Sequence, residues 1–272
     1  MSRTTFILLI TLFTITMFTG CASQDNEILL QKTDTNFQET YSELGNKVIL
    51  NSIERQLPGS KSKDKIILYA EQADDGMPLS WSLVVDGIEM VKLDHEENLY
   101  GFAEVKFQDL DGDNKDEVLL YRQSSGSAGA RGLNVYRVSD EGWEEIFGII
   151  NPVDLEDERY IVKYLGDYYA SFEDTATGLK STIQLDKKSY QGMEEMLSGI
   201  GTWVDPIAEY SIVDPDGDNS KEIISIQRVI GISHVDTLAL LKTTYRLEQG
   251  KYKAITLSLA DKNDKLLAEV NL

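Results

Sequence analysis

The chain has 272 residues, with 46 Asp and Glu against 26 Lys and Arg, for a formal net charge of −20. A surface this acidic repels nucleic acid and anionic membrane, so no nucleic-acid partner is expected, and it favours solubility and cation binding. The one Cys, Cys21, excludes an internal disulfide and a thiolate metal site. The two His, His95 and His234, make no zinc cluster unless carboxylates complete it.

Residues 1–20 read as an export signal. Arg3 is the basic start, Phe6 to Phe18 is an apolar run diluted by Thr, and small residues precede Cys21. The run falls short of the roughly 20 apolar residues that a comfortable transmembrane helix needs. With Cys at the cut point the segment resembles a lipoprotein signal. That resemblance implies an acylated, palmitate-bearing Cys21, membrane lipid as its partner, and a place at the outer face of the cell membrane. Residues 21–36 are polar and read as a lipid-anchored tether. Phe37, Tyr41, Leu44, Val48, Ile49, Ile53 and Leu57 recur at three- and four-residue steps, which predicts a helix ended by Pro58-Gly59.

Strand signals follow. Lys65 to Tyr69, Trp81 to Val85 and Ile88 to Leu93 read as strands, and Asp86-Gly87 between the last two is a strong hairpin signal. Gly101 to Phe107 leads into an acidic loop, after which Val118 to Arg122, Leu133 to Val138 and Trp143 to Ile150 are strands. The Gly-rich bend from Ser124 to Gly132 lacks the Gly-Lys-Ser/Thr ending of a phosphate loop. Tyr160 to Leu165, Tyr168 to Glu173 and Ser181 to Leu185 are strands, and Ser189 is expected to cap a short helix through Leu197. Ile223 to Ile230, Thr237 to Leu247, Lys251 to Leu259 and Leu266 to Val270 complete the series, with Thr237 to Leu247 long enough for a central strand.

The stretch around which the rest is arranged is Asp109-Leu110-Asp111-Gly112-Asp113-Asn114-Lys115-Asp116-Glu117. It recurs 105 residues later as Asp214-Pro215-Asp216-Gly217-Asp218-Asn219-Ser220-Lys221-Glu222. The acidic positions, the Gly and the Asn are in register, and each copy runs into a strand. One acidic turn is an ordinary turn; two matched copies point to calcium, which takes six to eight oxygen ligands. The expected ligands are Asp109, Asp111, Asp113, the Lys115 carbonyl and Glu117 in the first loop. In the second they are Asp214, Asp216, Asp218, the Ser220 carbonyl and Glu222. Gly126 and Gly231 each lie 17 residues after the first Asp of their loops, which extends the duplication.

Loops of this form running into a hydrophobic strand resemble the calcium loops of FG-GAP and VCBS repeats. The chain from the Cys onward also resembles a group of Firmicute lipoproteins carrying such loops. The first resemblance implies propeller-like architecture. The expected fold is mainly β, with two propeller-like antiparallel β units, duplicated Asp-rich loops and minor helices. Residues 37–158 would hold the helix and first unit, and 159–272 the second.

Catalytic signals are sparse. His95 lies in an acidic turn that is not a zincin motif. Ser233, His234 and Asp236 share one bend, whereas a triad needs groups converging from separate elements. Trp81, Trp143 and Trp203 could form a carbohydrate platform, but their strand positions favour core packing. The expected function is a non-enzymatic binding or structural module of the cell surface that holds calcium, with an envelope glycan or protein as ligand. The alternative is an exported hydrolase acting on envelope glycans or peptides.

Overall fold

The computed structural model describes residues 46–94, 100–124, 126, 129–149 and 159–272. They belong to one compact unit, Glu43–Leu272. The export signal, Cys21, the tether, the start of the expected helix and His95 lie outside the described residues.

The described chain is mainly β and folds as consecutive antiparallel meanders. The first sheet is β1 (Lys47–Arg55), β2 (Asp64–Gln72), β3 (Pro78–Val85) and β4 (Ile88–Asp94), paired in that order. The second is β5 (Tyr100–Gln108), β6 (Glu117–Ser124), β7 (Arg131–Ser139) and β8 (Gly142–Gly148). The third has three strands, β9 (Tyr160–Gly166), β10 (Tyr169–Asp174) and β11 (Lys180–Gln184). The fourth has five, β12 (Glu209–Val213), β13 (Glu222–Ile230), β14 (Thr237–Glu248), β15 (Lys251–Asp261) and β16 (Leu266–Asn271). Tight turns impose this order. Asp86-Gly87 and Gln249-Gly250 each place two residues at positive φ (48° and 84°; 54° and 85°), the geometry of a hairpin turn that matches strand twist.

The propeller expectation is overturned. Among the described residues there are four separate sheets rather than two units, and none closes into a propeller or a barrel. Each strand bonds to its neighbours in sequence, so every sheet keeps two edges. Three apolar clusters join the sheets face to face. Ile66, Leu68, Trp81 and Leu83 of the first sheet meet Val118 and Leu120 of the second. Leu119, Leu133 and Val135, on the opposite face of the second, meet Ile223 and Tyr252 of the fourth. Val229, Leu241 and Leu259 of the fourth then meet Val162, Ala170 and Phe172 of the third. Alternation on β6 sends Leu119 and Leu120 to different cores, which makes the second sheet an inner layer.

Two local expectations also change. Lys47–Arg55 is a strand, not the end of a helix. A bulge between Ile49 and Asn51 interrupts its two-residue period, so Val48, Ile49 and Ile53 imitate helical spacing. Between β11 and β12 lie two short helices, α1 (Lys187–Tyr190) and α2 (Glu194–Ser198). The cap of α1 is Asp186, whose carboxylate accepts from the Lys188 N–H at 3.1 Å; Ser189 instead donates its hydroxyl to Asp186 at 2.7 Å.

Candidate metal centres

Both acidic loops connect adjacent antiparallel strands at the same register. Gln108 faces Glu117 across β5 and β6, and Val213 faces Glu222 across β12 and β13. The first Asp organises each turn. Asp109 accepts from the Gly112 and Asn114 N–H groups at 2.8 and 3.0 Å; Asp214 accepts from Gly217 and Asn219 at 2.8 and 3.2 Å. Gly112 and Gly217 have φ of 78° and 75°, Asn114 and Asn219 of 63° and 70°. Gly and Asn are the residues that enter this left-handed region at least cost.

The ligand sets differ between the copies. Asp109, Asp111 and Glu117 converge in the first loop, and Asp214, Asp216 and Asp218 in the second, with one oxygen of each residue within 4.8 Å of the others in its set. Local chemistry accounts for the difference. In the first loop Lys115 engages Asp113 twice, by its N–H at 2.8 Å and its ammonium at 3.2 Å. Ser220 has no ammonium to offer Asp218, which joins its neighbours. Glu117, almost fully buried, accepts from the Leu110 N–H at 2.8 Å and so folds over its loop. The matching residue is Pro215, which has no N–H to donate. Glu222 instead takes the guanidinium of Arg246 at 2.5 and 2.9 Å. The Lys115 and Ser220 side chains are therefore part of the explanation, whatever their carbonyls contribute to an ion.

Sequence reading missed the arginines. Tyr136 on β7 faces Val118, and Tyr245 on β14 faces Ile223; the next residue of each pair is Arg. Arg137 donates to Asp111 at 2.8 Å and lies 3.7 Å from Glu117. The repeated Tyr-Arg dipeptide was the available signal, but its spacing differs from that of the loops by four residues, because β13 and β14 are longer than β6 and β7.

The two loops touch. The Lys221 N–H donates to the Leu110 carbonyl and its ammonium to the Asp109 carbonyl, both at 2.7 Å. Tyr252 donates its hydroxyl to the Lys221 carbonyl at 2.8 Å. A methyl on Gly112 would lie 3.0 Å from the Asn219 Cβ and 3.2 Å from its carbonyl oxygen, whereas one on Gly217 meets nothing within 4 Å. Both positions have positive φ, so Gly217→Ala should cost about 1–2 kcal/mol from backbone strain alone. Gly112→Ala should cost about 1–3 kcal/mol more because the second loop must shift. Urea denaturation of the two variants measures the difference, which vanishes if the loops do not pack together.

Burial raises the Glu117 carboxyl to about 7 from an ordinary 4.5; the Leu110 N–H and Arg137 oppose the rise, and Asp111 and Asp113 add to it. Its pKa is thus higher folded than unfolded, so the folded state binds the proton more tightly. The stability this supplies is present below about 4.5 and is lost as pH rises through about 7. Melting temperature of the chelated protein should therefore decline across this interval, and Glu117→Gln should flatten the decline.

Comparison with known proteins places the second loop in shared territory. The family described as the YybI C-terminal domain matches residues 158–260, which include β12, the acidic loop and β13. The chain is also similar to a Bacillus subtilis protein titled "Uncharacterized protein YybI", with 27% identity over 146 residues, 51% of this chain and 55% of that protein. The chain thus spans about half the length of this curated relative. No solved structure matches.

The remaining expected site residues disperse. Trp81 is fully buried and Trp143 packs on the same core, while Trp203 is 47% exposed and belongs to a different part of the fold. The three do not share a platform. His234 stands edge-on to Trp203, with ring centroids 4.1 Å apart. Asp236 accepts from the Tyr190 hydroxyl and, at 2.9 Å, from the Ile232 N–H, so its partners are the last residue of α1 and a backbone group of its own bend.

Proposed function

We propose that this chain is a calcium-binding lipoprotein of the outer cell surface, acting as a non-enzymatic binding or structural module. The observation that supports it is the convergence of three carboxylates in each of two loops with matching backbone geometry. Each set supplies part of a calcium shell, and loop carbonyls and water supply the rest. Calcium suits these loops better than magnesium, which demands a smaller, near-ideal octahedron and keeps its own waters. Export and acylation at Cys21 rest on the N-terminal sequence. No helix among the described residues is long and apolar enough to cross a membrane. Anchoring would place an envelope glycan or protein within reach as ligand.

Titration calorimetry of residues 22–272 with calcium and with magnesium tests the reading. Saturable calcium binding that magnesium does not reproduce is the expected result. Absence of calcium binding shows that the loops are acidic turns only. Fractionation of cells carrying Cys21→Ser tests the anchor separately, and unchanged mass and membrane association in that variant refute it.

A further inference from the structure

The fourth sheet carries a second feature, unrelated to the acidic loops. A cavity of about 660 Å³ opens between α1 and the turn joining β15 to β16. Lys187 and Lys188 line it from the helix, and Lys262 and Lys265 from the turn. Leu238 and Leu267 contribute apolar wall. We propose that this cavity binds a compact ligand bearing two or more phosphate groups.

Charge and geometry together carry the proposal. All four lysines are exposed, and none forms an ion pair among the described residues. Lys187 lies over the Tyr168 ring at 5.5 Å and is attracted by Glu194, which accepts from the Tyr168 hydroxyl, but forms no ion pair with it. The cavity also contains Asp186 and Asp261, which face their own turns. Asp186 accepts from the Lys188 N–H and the Ser189 hydroxyl and also attracts Lys262 and Lys188 through space, and Asp261 accepts from the Asn263 and Lys265 N–H groups at 2.8 and 3.0 Å. Asp264, beside the turn, is paired with Lys242. Four lysines therefore line the cavity against only two carboxylates among the lining residues, on a chain whose net charge is −20. Such a local excess attracts anions over roughly one Debye length, about 8 Å at physiological salt.

The same contrast limits the size of the ligand. A long polyanion or a flat anionic membrane extends beyond that length and meets the acidic remainder of the surface, which repels it. A small molecule enclosed by the cavity does not. The volume is within the range of small-molecule sites, about 300–1,000 Å³. Multiple phosphates match ammonium groups presented from two opposing elements, since lysine binds phosphate as a mobile point charge.

The test is calorimetry of metal-free protein with inorganic tripolyphosphate at low salt, beside inorganic phosphate and sedimentation with phosphatidylglycerol vesicles. Saturable one-to-one binding of tripolyphosphate, stronger than that of phosphate and weakened by added salt, is expected. Lys262→Gln/Lys265→Gln and Lys187→Gln/Lys188→Gln should each weaken it about tenfold or more, as loss of two close charge contacts would. Lys253→Gln, which removes an exposed lysine near Glu248 on another part of the sheet, should leave it unchanged. All five substituted positions are exposed, so melting temperatures should stay within about 2 °C of the parent. No binding, binding indifferent to the cavity substitutions, or vesicle binding without tripolyphosphate binding overturns the proposal.

Discussion

Saturating calcium is expected to raise the melting temperature of the chelated protein by about 5–10 °C for each filled loop. A ligand bound only by the folded state, at 100 times its Kd, adds about 2.7 kcal/mol. In a domain of this size each kcal/mol corresponds to roughly 2–4 °C. The two loops should not contribute alike. Asp214, Asp216 and Asp218 are exposed, and Arg246 gives its hydrogen bonds to Glu222, with only a through-space attraction to Asp216 of this set. The first loop already holds the Arg137 guanidinium against Asp111 and the Lys221 ammonium at the Asp109 carbonyl. Calcium must compete with Arg137 for Asp111, so the first loop should fill at higher concentration. Asp216→Asn removes a charge without removing a hydrogen bond among the described residues, and should abolish the tighter phase. Asp111→Asn should abolish the weaker one. Differential scanning calorimetry in chelator, then in millimolar calcium or magnesium, resolves these outcomes. A melting temperature indifferent to calcium would show that the carboxylates only shape turns.

Phe147→Ala should destabilise the fold by about 3–5 kcal/mol, the usual cost of emptying a buried aromatic site. The ring is 4% exposed and is met edge-on by three tyrosines of the fourth sheet. Its centroid lies 6.1 Å from that of Tyr210, 5.1 Å from Tyr245 and 5.9 Å from Tyr252. Edge-to-face pairs contribute beyond the area they bury. No single tyrosine can refill the space, because each is fixed on a different strand. The consequence should reach the loops. Tyr252 bonds the Lys221 carbonyl, and the Lys221 N–H bonds Leu110. Hydrogen exchange at Lys221 should accelerate in the variant under native conditions. Phe102→Ala, at a site 63% exposed, should change stability by less than about 0.5 kcal/mol. Equal effects in chemical denaturation would contradict the packing described here.

Local alternation and turn chemistry made most strands legible from sequence. Period-two apolar residues bounded by Asp-Gly or Gln-Gly turns fold on themselves with little help from distant contacts, and β3, β4, β14 and β15 follow that pattern. β1 was misread because a bulge breaks the period on which the reading depends. The propeller expectation failed for another reason. Short loops specify which strands pair within a meander, but only packing between faces decides how meanders assemble. Here β6 is buried on both sides, and its alternate residues serve different cores. The acidic loops divide in the same way. Their turn geometry follows from Asp, Gly and Asn at fixed offsets, and was visible in the repeat. Which carboxylates converge depends on cations and N–H groups that tertiary structure brings to them. Leu110 can draw Glu117 inward, Pro215 cannot do so for Glu222, and Arg137 and Arg246 arrive from strands outside the repeated segments. Sequence spacing determined where the carboxylates stand along the chain; the competing donors, assembled by folding, decided which of them face a common point.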